Sequence, residues 1–157
     1  MNNTLPTWRD TIAAGDIIAF KFPCPDDPAA EKTRPCLVVA VDRCAGEAVI
    51  VYGTSRWTGA NRGQELHVTG HAACTEASLD KPTRFIGRRR VRVTLTCARF
   101  VECRAGTVVL GRLGDRHRAQ LDRIRNPQPR PSRRCRGYLR CPTENRAFFS
   151  HPDRRPQ

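Results

Sequence analysis

The sequence predicts a mainly β domain whose small, strongly curved sheet is closed or nearly closed and is followed by one C-terminal helix. Two observations carry this prediction. Residues 15–111 are dominated by short apolar runs that are separated by polar loops. Residues 115–125 then repeat apolar side chains at helical spacing. With 157 residues, the chain has room for one domain with a modest core and an appendage.

The first half of the domain is expected to hold three strands. The first covers residues 15–22 and ends at two closely spaced prolines. A polar loop over residues 25–33 follows and is long enough to act as a flap. Strands at residues 34–41 and 47–53 then form a hairpin, and their continuous apolar composition predicts that both faces are largely covered.

The second half is expected to hold four more short strands and a short helical or irregular piece at residues 71–79. These strands are expected near residues 65–68, 84–86, 89–95 and 107–111. The final helix, residues 115–125, begins at Asp115 as a cap and places His117, Leu121 and Ile124 on one face.

The composition changes at both ends of the predicted domain, which covers residues 14–125. Residues 1–13 form a short N-terminal extension. Residues 126–157 are rich in proline and arginine without hydrophobic periodicity, so they are expected to form a disordered basic tail.

The formal net charge is +13, and arginine carries nearly all of it, with 25 arginines and three lysines. Such a charge attracts polyanions, of which RNA is the obvious example. A GC-rich genome would also enrich arginine without any binding purpose, so charge by itself leaves both explanations open.

Eight cysteines are scattered along the chain without a C-x-x-C pair, and this spacing is too wide for a typical zinc site. We therefore expect no metal and reduced thiols, with Cys36 as a small core residue. The first ten residues lack a basic start and a hydrophobic stretch. No segment has the apolar length of a membrane helix, so the protein is expected in the cytoplasm.

Two short motifs carry most of the functional information. Thr33-Arg34-Pro35 opens one apolar run, and Thr54-Ser55-Arg56 closes the next. An arginine that begins one strand and a threonine–serine pair that ends the next can converge on one phosphate at the rim of a sheet. This arrangement suits an enzyme that cuts RNA with the RNA's own 2′-hydroxyl.

Five segments in order resemble the PemK/MazF family of toxin endoribonucleases from toxin–antitoxin systems. They are residues 15–18, 34–39, 53–56, 79–83 and 110–113. The resemblance implies an SH3-like β-barrel with a C-terminal helix, a homodimer, and restraint by a small antitoxin. It further implies cleavage of single-stranded RNA without metal or cofactor, which leaves 2′,3′-cyclic phosphate and 5′-hydroxyl ends.

The resemblance assigns the functional arginine to Arg34, the functional threonine to Thr54, and a flap that gates RNA to residues 23–33. This chain departs from the family pattern in one respect, which concerns the catalytic base. Some relatives place an acid or glutamine after the segment that matches residues 79–83, whereas residues 81–101 of this chain contain no carboxylate. Activity by the same mechanism is therefore open, and a non-catalytic RNA- or protein-binding module on the same fold is the alternative.

Arg34 is expected to stabilise the charge that builds on the phosphate, because a guanidinium keeps its proton near neutral pH. An ordinary surface ion pair is its alternative role. Thr54 and Ser55 would donate hydroxyl hydrogen bonds to the phosphate, whereas the alternative is a strand-ending turn.

His67 and Glu65 are the possible bases, since they face the same side of one strand, although a lone histidine in a strand is often structural. The remaining candidates are expected to contact RNA. Arg56, Arg88, Arg89 and Arg90 would contact phosphates, and Trp57 would stack on a base. The alternative role of Trp57 is to cap the core, and the alternative role of the arginines is to form a solvated basic face.

Overall fold

A computed structural model describes residues 6–22, 31–103 and 106–127, together with the backbone of residues 139–140. Its strands are β1 (Asp16–Phe22), β2 (Lys32–Asp42), β3 (Glu47–Thr54), β4 (Glu65–Val68), β5 (Thr83–Thr94), β6 (Val109–Arg112) and β7 (Leu139–Arg140). Its helices are α1 (Trp8–Thr11), α2 (His71–Glu76) and α3 (Arg118–Arg125), the last preceded by a 3₁₀ turn at Asp115–His117.

Six antiparallel strands form a curled half-barrel in the order β4-β5-β3-β2-β1-β6. The mainly β, SH3-like fold with a short C-terminal helix is therefore confirmed. The short β7 adds a parallel bridge to β5. Within the described residues, no helix is both long and apolar enough to cross a membrane.

The sheet buries side chains on both faces because β2 and β3 lie in its middle. Alternate residues, such as Cys36 and Ile50, pack with α1 in one core, which we call core one. The residues between them, such as Leu37 and Val51, pack with α2 and α3 in a second core. The prediction that both faces of this hairpin are covered is thus confirmed.

Three features differ from the predicted elements. The final helix begins at Arg118 and not at Asp115, which lies in a 3₁₀ turn that begins after Gly114 and has no side-chain cap. The two strands expected at 84–86 and 89–95 are one continuous strand, because β5 accommodates an irregularity where its pairing with β3 shifts register. The N-terminal extension contains α1, whose Trp8 is buried with its ring 5.0 Å from that of Phe100. The helix was missed because four residues are too few to show periodicity.

Two predictions fall largely outside the described residues. The flap expected at 23–33 is described only from Glu31 onward, and β2 begins at the next residue. Of the expected tail beyond Pro127, only the backbone of residues 139–140 is described. Gating by the flap and disorder of the tail therefore stay predictions.

Candidate functional site

The two motifs singled out in the sequence meet at one end of the β2–β3 pair. The last bridge of this pair joins Cys36 to Tyr52, so Arg34 lies opposite Thr54 two residues further along. Gly53 permits the approach, since a Cβ atom there would lie 2.2 Å from a carbonyl oxygen of β2. Opposed residues of an antiparallel pair project from the same face of the sheet, which here is the face of core one.

The same line of residues continues across the next two strands. Thr54 pairs with Arg84 of β5, and Arg84 pairs with His67 of β4. Arg34, Thr54, Arg84 and His67 therefore form one cross-strand row over four strands. Because neighbouring strands lie about 4.8 Å apart, the Cα atoms at the two ends of the row are about 14 Å apart.

Arg84 is the buried centre of this row, with only 4% of its surface exposed. Its Nη1 atom lies 2.6 Å from Oε1 of Glu65, and its Nη2 donates to the hydroxyl of Thr58 at 2.9 Å. Its other bonds go to the carbonyl oxygens of Arg56, Thr58 and Ala60. One guanidinium therefore fixes both β4 and the loop that follows β3.

Glu65 shares its buried carboxylate between two partners. Oε1 accepts from Arg84, and Oε2 lies 2.8 Å from Nε2 of His67. The side chain of Glu65 is 5% exposed, whereas that of His67 is 44% exposed. A buried carboxylate that holds one ring nitrogen of an accessible imidazole orients the ring and leaves Nδ1 able to exchange a proton. The two candidate bases thus form one unit.

Trp57 lies beside His67 at a surface pocket of about 420 Å³. The two ring centroids are 4.8 Å apart and the rings meet edge to face. The tryptophan is 49% exposed, which does not fit the alternative role of capping the core. The other residues that line the pocket are Thr58, Gly59, Arg62, Gly63 and Glu65.

Two arginines flank Tyr52 at the opposite end of the row. The guanidinium carbons of Arg34 and Arg89 lie 5.4 Å and 5.1 Å from the centroid of its ring. Across the described part of the chain, neither guanidinium has a carboxylate or hydrogen-bond partner. The surface ion pair considered for Arg34 is therefore not found there. Two cations on one aromatic ring, neither paired with a described carboxylate, form an anion-attracting end of the row.

Thr54 is buried, and its Oγ1 accepts a hydrogen bond from the backbone N–H of Arg56 at 3.2 Å. This is the bond of a strand-ending turn, the alternative role for this residue. Because the hydroxyl acts as an acceptor in that bond, its own hydrogen is left for another acceptor. Ser55 and Arg56 are exposed at the same end of β3.

The three consecutive arginines of β5 have different environments. Nε of Arg88 donates to the side-chain oxygen of Gln64. Nη2 of Arg90 donates to the carbonyl oxygen of Ile124 at 2.7 Å, which ties β5 to the end of α3. Of the three, Arg89 is therefore the one that joins the anion-attracting end of the row.

Burial changes the pKa of two titratable groups near the row. Burial raises the pKa of the Cys36 thiol to about 12, so the thiol stays neutral beneath the site. Burial, with a contribution from Arg116, lowers the pKa of His117 on the far side of β4. His117 is therefore a packing residue in its neutral form, as its place on the helix predicts.

Within residues 6–22, 31–103 and 106–127, no group of three or more histidine, cysteine or acidic side chains could hold a metal ion. No known protein family matches the sequence, and no curated protein matches it.

Sequence reasoning missed three residues of the site, namely Arg84, Tyr52 and Arg62. Arg84 carried a signal, because a lone arginine before Phe85 and Ile86 in an apolar strand needs a partner if it is buried. Tyr52 was counted as an apolar strand residue. Arg62 lies in a loop whose conformation the sequence does not specify, so nothing in the pattern linked it to Trp57.

Proposed function

We propose that this chain is a metal-independent endoribonuclease, similar to PemK/MazF toxins, that cuts single-stranded RNA by attack of the 2′-hydroxyl on the adjacent phosphate. The cross-strand row is the observation that carries the proposal. It offers Arg34, a cation without a carboxylate partner among the described residues, a hydroxyl at Thr54, and a histidine oriented by Glu65, all on one face. These are the groups that such a reaction uses.

In the proposed reaction, Nδ1 of neutral His67 takes the proton of the 2′-hydroxyl while the 2′-oxygen bonds to phosphorus. Arg34 stabilises the negative charge that builds on the non-bridging oxygens, and Thr54 adds a hydrogen bond. The bond from phosphorus to the 5′-oxygen breaks, and that oxygen takes a proton from water. The products are a 2′,3′-cyclic phosphate and a 5′-hydroxyl.

Glu65 supports the proposal at the point where this chain departs from the family pattern. Residues 81–101 contain no carboxylate, but β4 supplies one that is hydrogen-bonded to His67. In this proposal the base is His67, which lies on β4, a neighbour of β5 in the sheet. A homodimer and a small antitoxin partner belong to the same proposal, and the resemblance to PemK/MazF toxins is their support.

The test is cleavage of a mixed-sequence single-stranded RNA in EDTA, with an all-DNA copy as control. We expect wild-type protein to cut only the RNA and to leave a cyclic phosphate. Arg34→Ala and His67→Gln are each expected to lose activity by about a hundredfold or more. Equal cleavage by wild type and Arg34→Ala would contradict the proposal.

The second candidate is a non-catalytic RNA-binding module, and the arrangement around Tyr52 favours it. Two guanidiniums beside the half-buried ring of Tyr52 can bind phosphate without catalysing any reaction. This alternative predicts binding that weakens steeply with salt, no cyclic-phosphate product, and no effect of His67→Gln. The cleavage assay separates the two candidates directly.

A further inference from the structure

We propose that the pocket beside Trp57 binds guanine, as the base of the nucleotide immediately 5′ of the cut, an inference that rests on the proposed function. The exposed tryptophan offers an aromatic face, and unpaired bases of single-stranded RNA stack on such faces. The volume of about 420 Å³ lies in the range of small-molecule pockets. The chemistry of the walls decides which base fits.

The side-chain oxygens of Glu65 and Thr58 in the pocket walls are already engaged. The two carboxylate oxygens of Glu65 are bonded to Arg84 and His67. The hydroxyl and the carbonyl oxygen of Thr58 both accept from Arg84. These oxygens are therefore not free to take up an amino group on the base edge that faces Arg62.

Arg62 supplies the donors. Its side chain is exposed and makes no ion pair or hydrogen bond among the residues that the structure describes. Its Nη2 would lie 3.9 Å from a Cβ at Gly59, so the guanidinium lies beside this glycine in the pocket lining. At Gly63, with φ +79°, a Cβ would meet nothing within 4 Å. Neither glycine presents a side chain to a base that lies against Trp57 and Arg62.

The hydrogen-bond donors of Arg62 match the acceptors of guanine. O6 and N7 of guanine are adjacent acceptors, and an arginine fork binds them with two parallel hydrogen bonds. Adenine presents an amino donor beside N7, and cytosine presents an amino donor as well, so each would set donor against donor at Arg62. Uracil offers one acceptor on the corresponding edge and a smaller surface for stacking.

The position of Trp57 fixes where the cut falls. His67 contacts the tryptophan edge to face, so the ribose of a stacked nucleotide lies next to the proposed base. The following phosphate then extends along the row toward Arg34. Cleavage is therefore expected on the 3′ side of guanosine.

Binding without cleavage tests the pocket first. We would titrate the protein with pentadeoxynucleotides that carry one G, A or T among cytosines, which lack the 2′-hydroxyl, and follow tryptophan fluorescence. Trp57→Phe removes the signal of the pocket and leaves that of the buried Trp8. We expect about tenfold tighter binding for the G oligonucleotide than for the A one.

Substitutions of Arg62 make the test specific. Arg62→Gln should shift the preference from G to A, because a glutamine amide pairs with N7 and the amino group of adenine. Arg62→Lys keeps the charge but loses the planar fork, so it should weaken the preference without reversing it. Arg123→Lys, an exposed change on α3, should leave it unaltered. Equal binding of all oligonucleotides, or a preference unaffected by Arg62→Gln, would overturn the assignment.

RNA pentamers of the same sequences then connect the pocket to the cut. Products ending in guanosine 2′,3′-cyclic phosphate support both proposals. G-selective binding without any cleavage keeps the guanine pocket and removes the endoribonuclease. Cleavage without preference for guanosine keeps the endoribonuclease and removes the guanine pocket.

Discussion

Glu65→Gln removes one charge from the buried network and leaves its shape almost unchanged. Glu65 and Arg84 are 5% and 4% exposed, and their closest atoms lie 2.6 Å apart. Glutamine keeps an oxygen that can accept from Arg84. The substitution therefore isolates the loss of the negative charge that compensates a buried guanidinium.

Glu65→Gln is expected to lower the free energy of unfolding substantially, because Arg84 has no second carboxylate partner among the described residues. Breaking a buried ion pair by removing one partner costs about 3–5 kcal/mol, since the remaining charge stays buried without compensation. Small domains have total stabilities of about 5–15 kcal/mol. Glu65→Gln should therefore remove a substantial fraction of the stability and lower Tm by roughly 10 °C.

Urea unfolding followed by circular dichroism measures this cost, and the chain offers a matched control. Glu47 forms an ion pair of 3.0 Å with Arg92, whose side chain is mostly exposed. Glu47→Gln should therefore cost less than about 1 kcal/mol. Destabilisation by Glu65→Gln that is no larger than that by Glu47→Gln would refute the idea that Arg84 depends on a buried counter-charge.

Three further predictions concern the frame of the site. Gly53→Ala should destabilise the protein by about 2 kcal/mol or more in urea unfolding, because its Cβ would overlap the carbonyl oxygen of Pro35. In the native protein at pH 8, iodoacetamide should label the exposed Cys44 and spare Cys36, whose pKa burial raises to about 12; mass spectrometry of the peptides checks this. The pKa of His117 is lowered on folding, so as the pH falls the unfolded chain takes up this proton before the folded protein does. The free energy of unfolding should therefore decrease as the pH drops below about 6.5. His117→Leu should reduce this decrease.

The sequence predicted the order and type of the main elements because short apolar runs and their turns are local signals. β4 lies where the alternation at Glu65–Val68 placed it, and the hairpin of β2 and β3 differs only at its ends. The continuous β5 was not predicted, since Gly87 and three arginines interrupt its apolar pattern. Only the pairing with β3 and β4 on either side keeps that segment extended.

The sequence also identified Arg34, Thr54, Trp57, His67 and Glu65 as candidates, but it gave no relation between the first pair and the other three. That relation depends on register, because β5 lies between β3 and β4 and aligns Thr54 with His67. Strand order within a sheet is a long-range property, and alternation within each strand carries no information about it.

The buried network is an expensive way to hold a loop against a strand. Apolar residues of similar volume often stabilise a fold as well as a buried ion pair does, or better. Stability alone therefore does not explain why Arg84 carries a charge through the centre of the row. The charge becomes useful if Glu65 orients His67, because Arg84 holds that carboxylate and the Trp57 loop in one geometry. We infer that the network serves the orientation of the site, and that its cost is offset by the two cores that surround it.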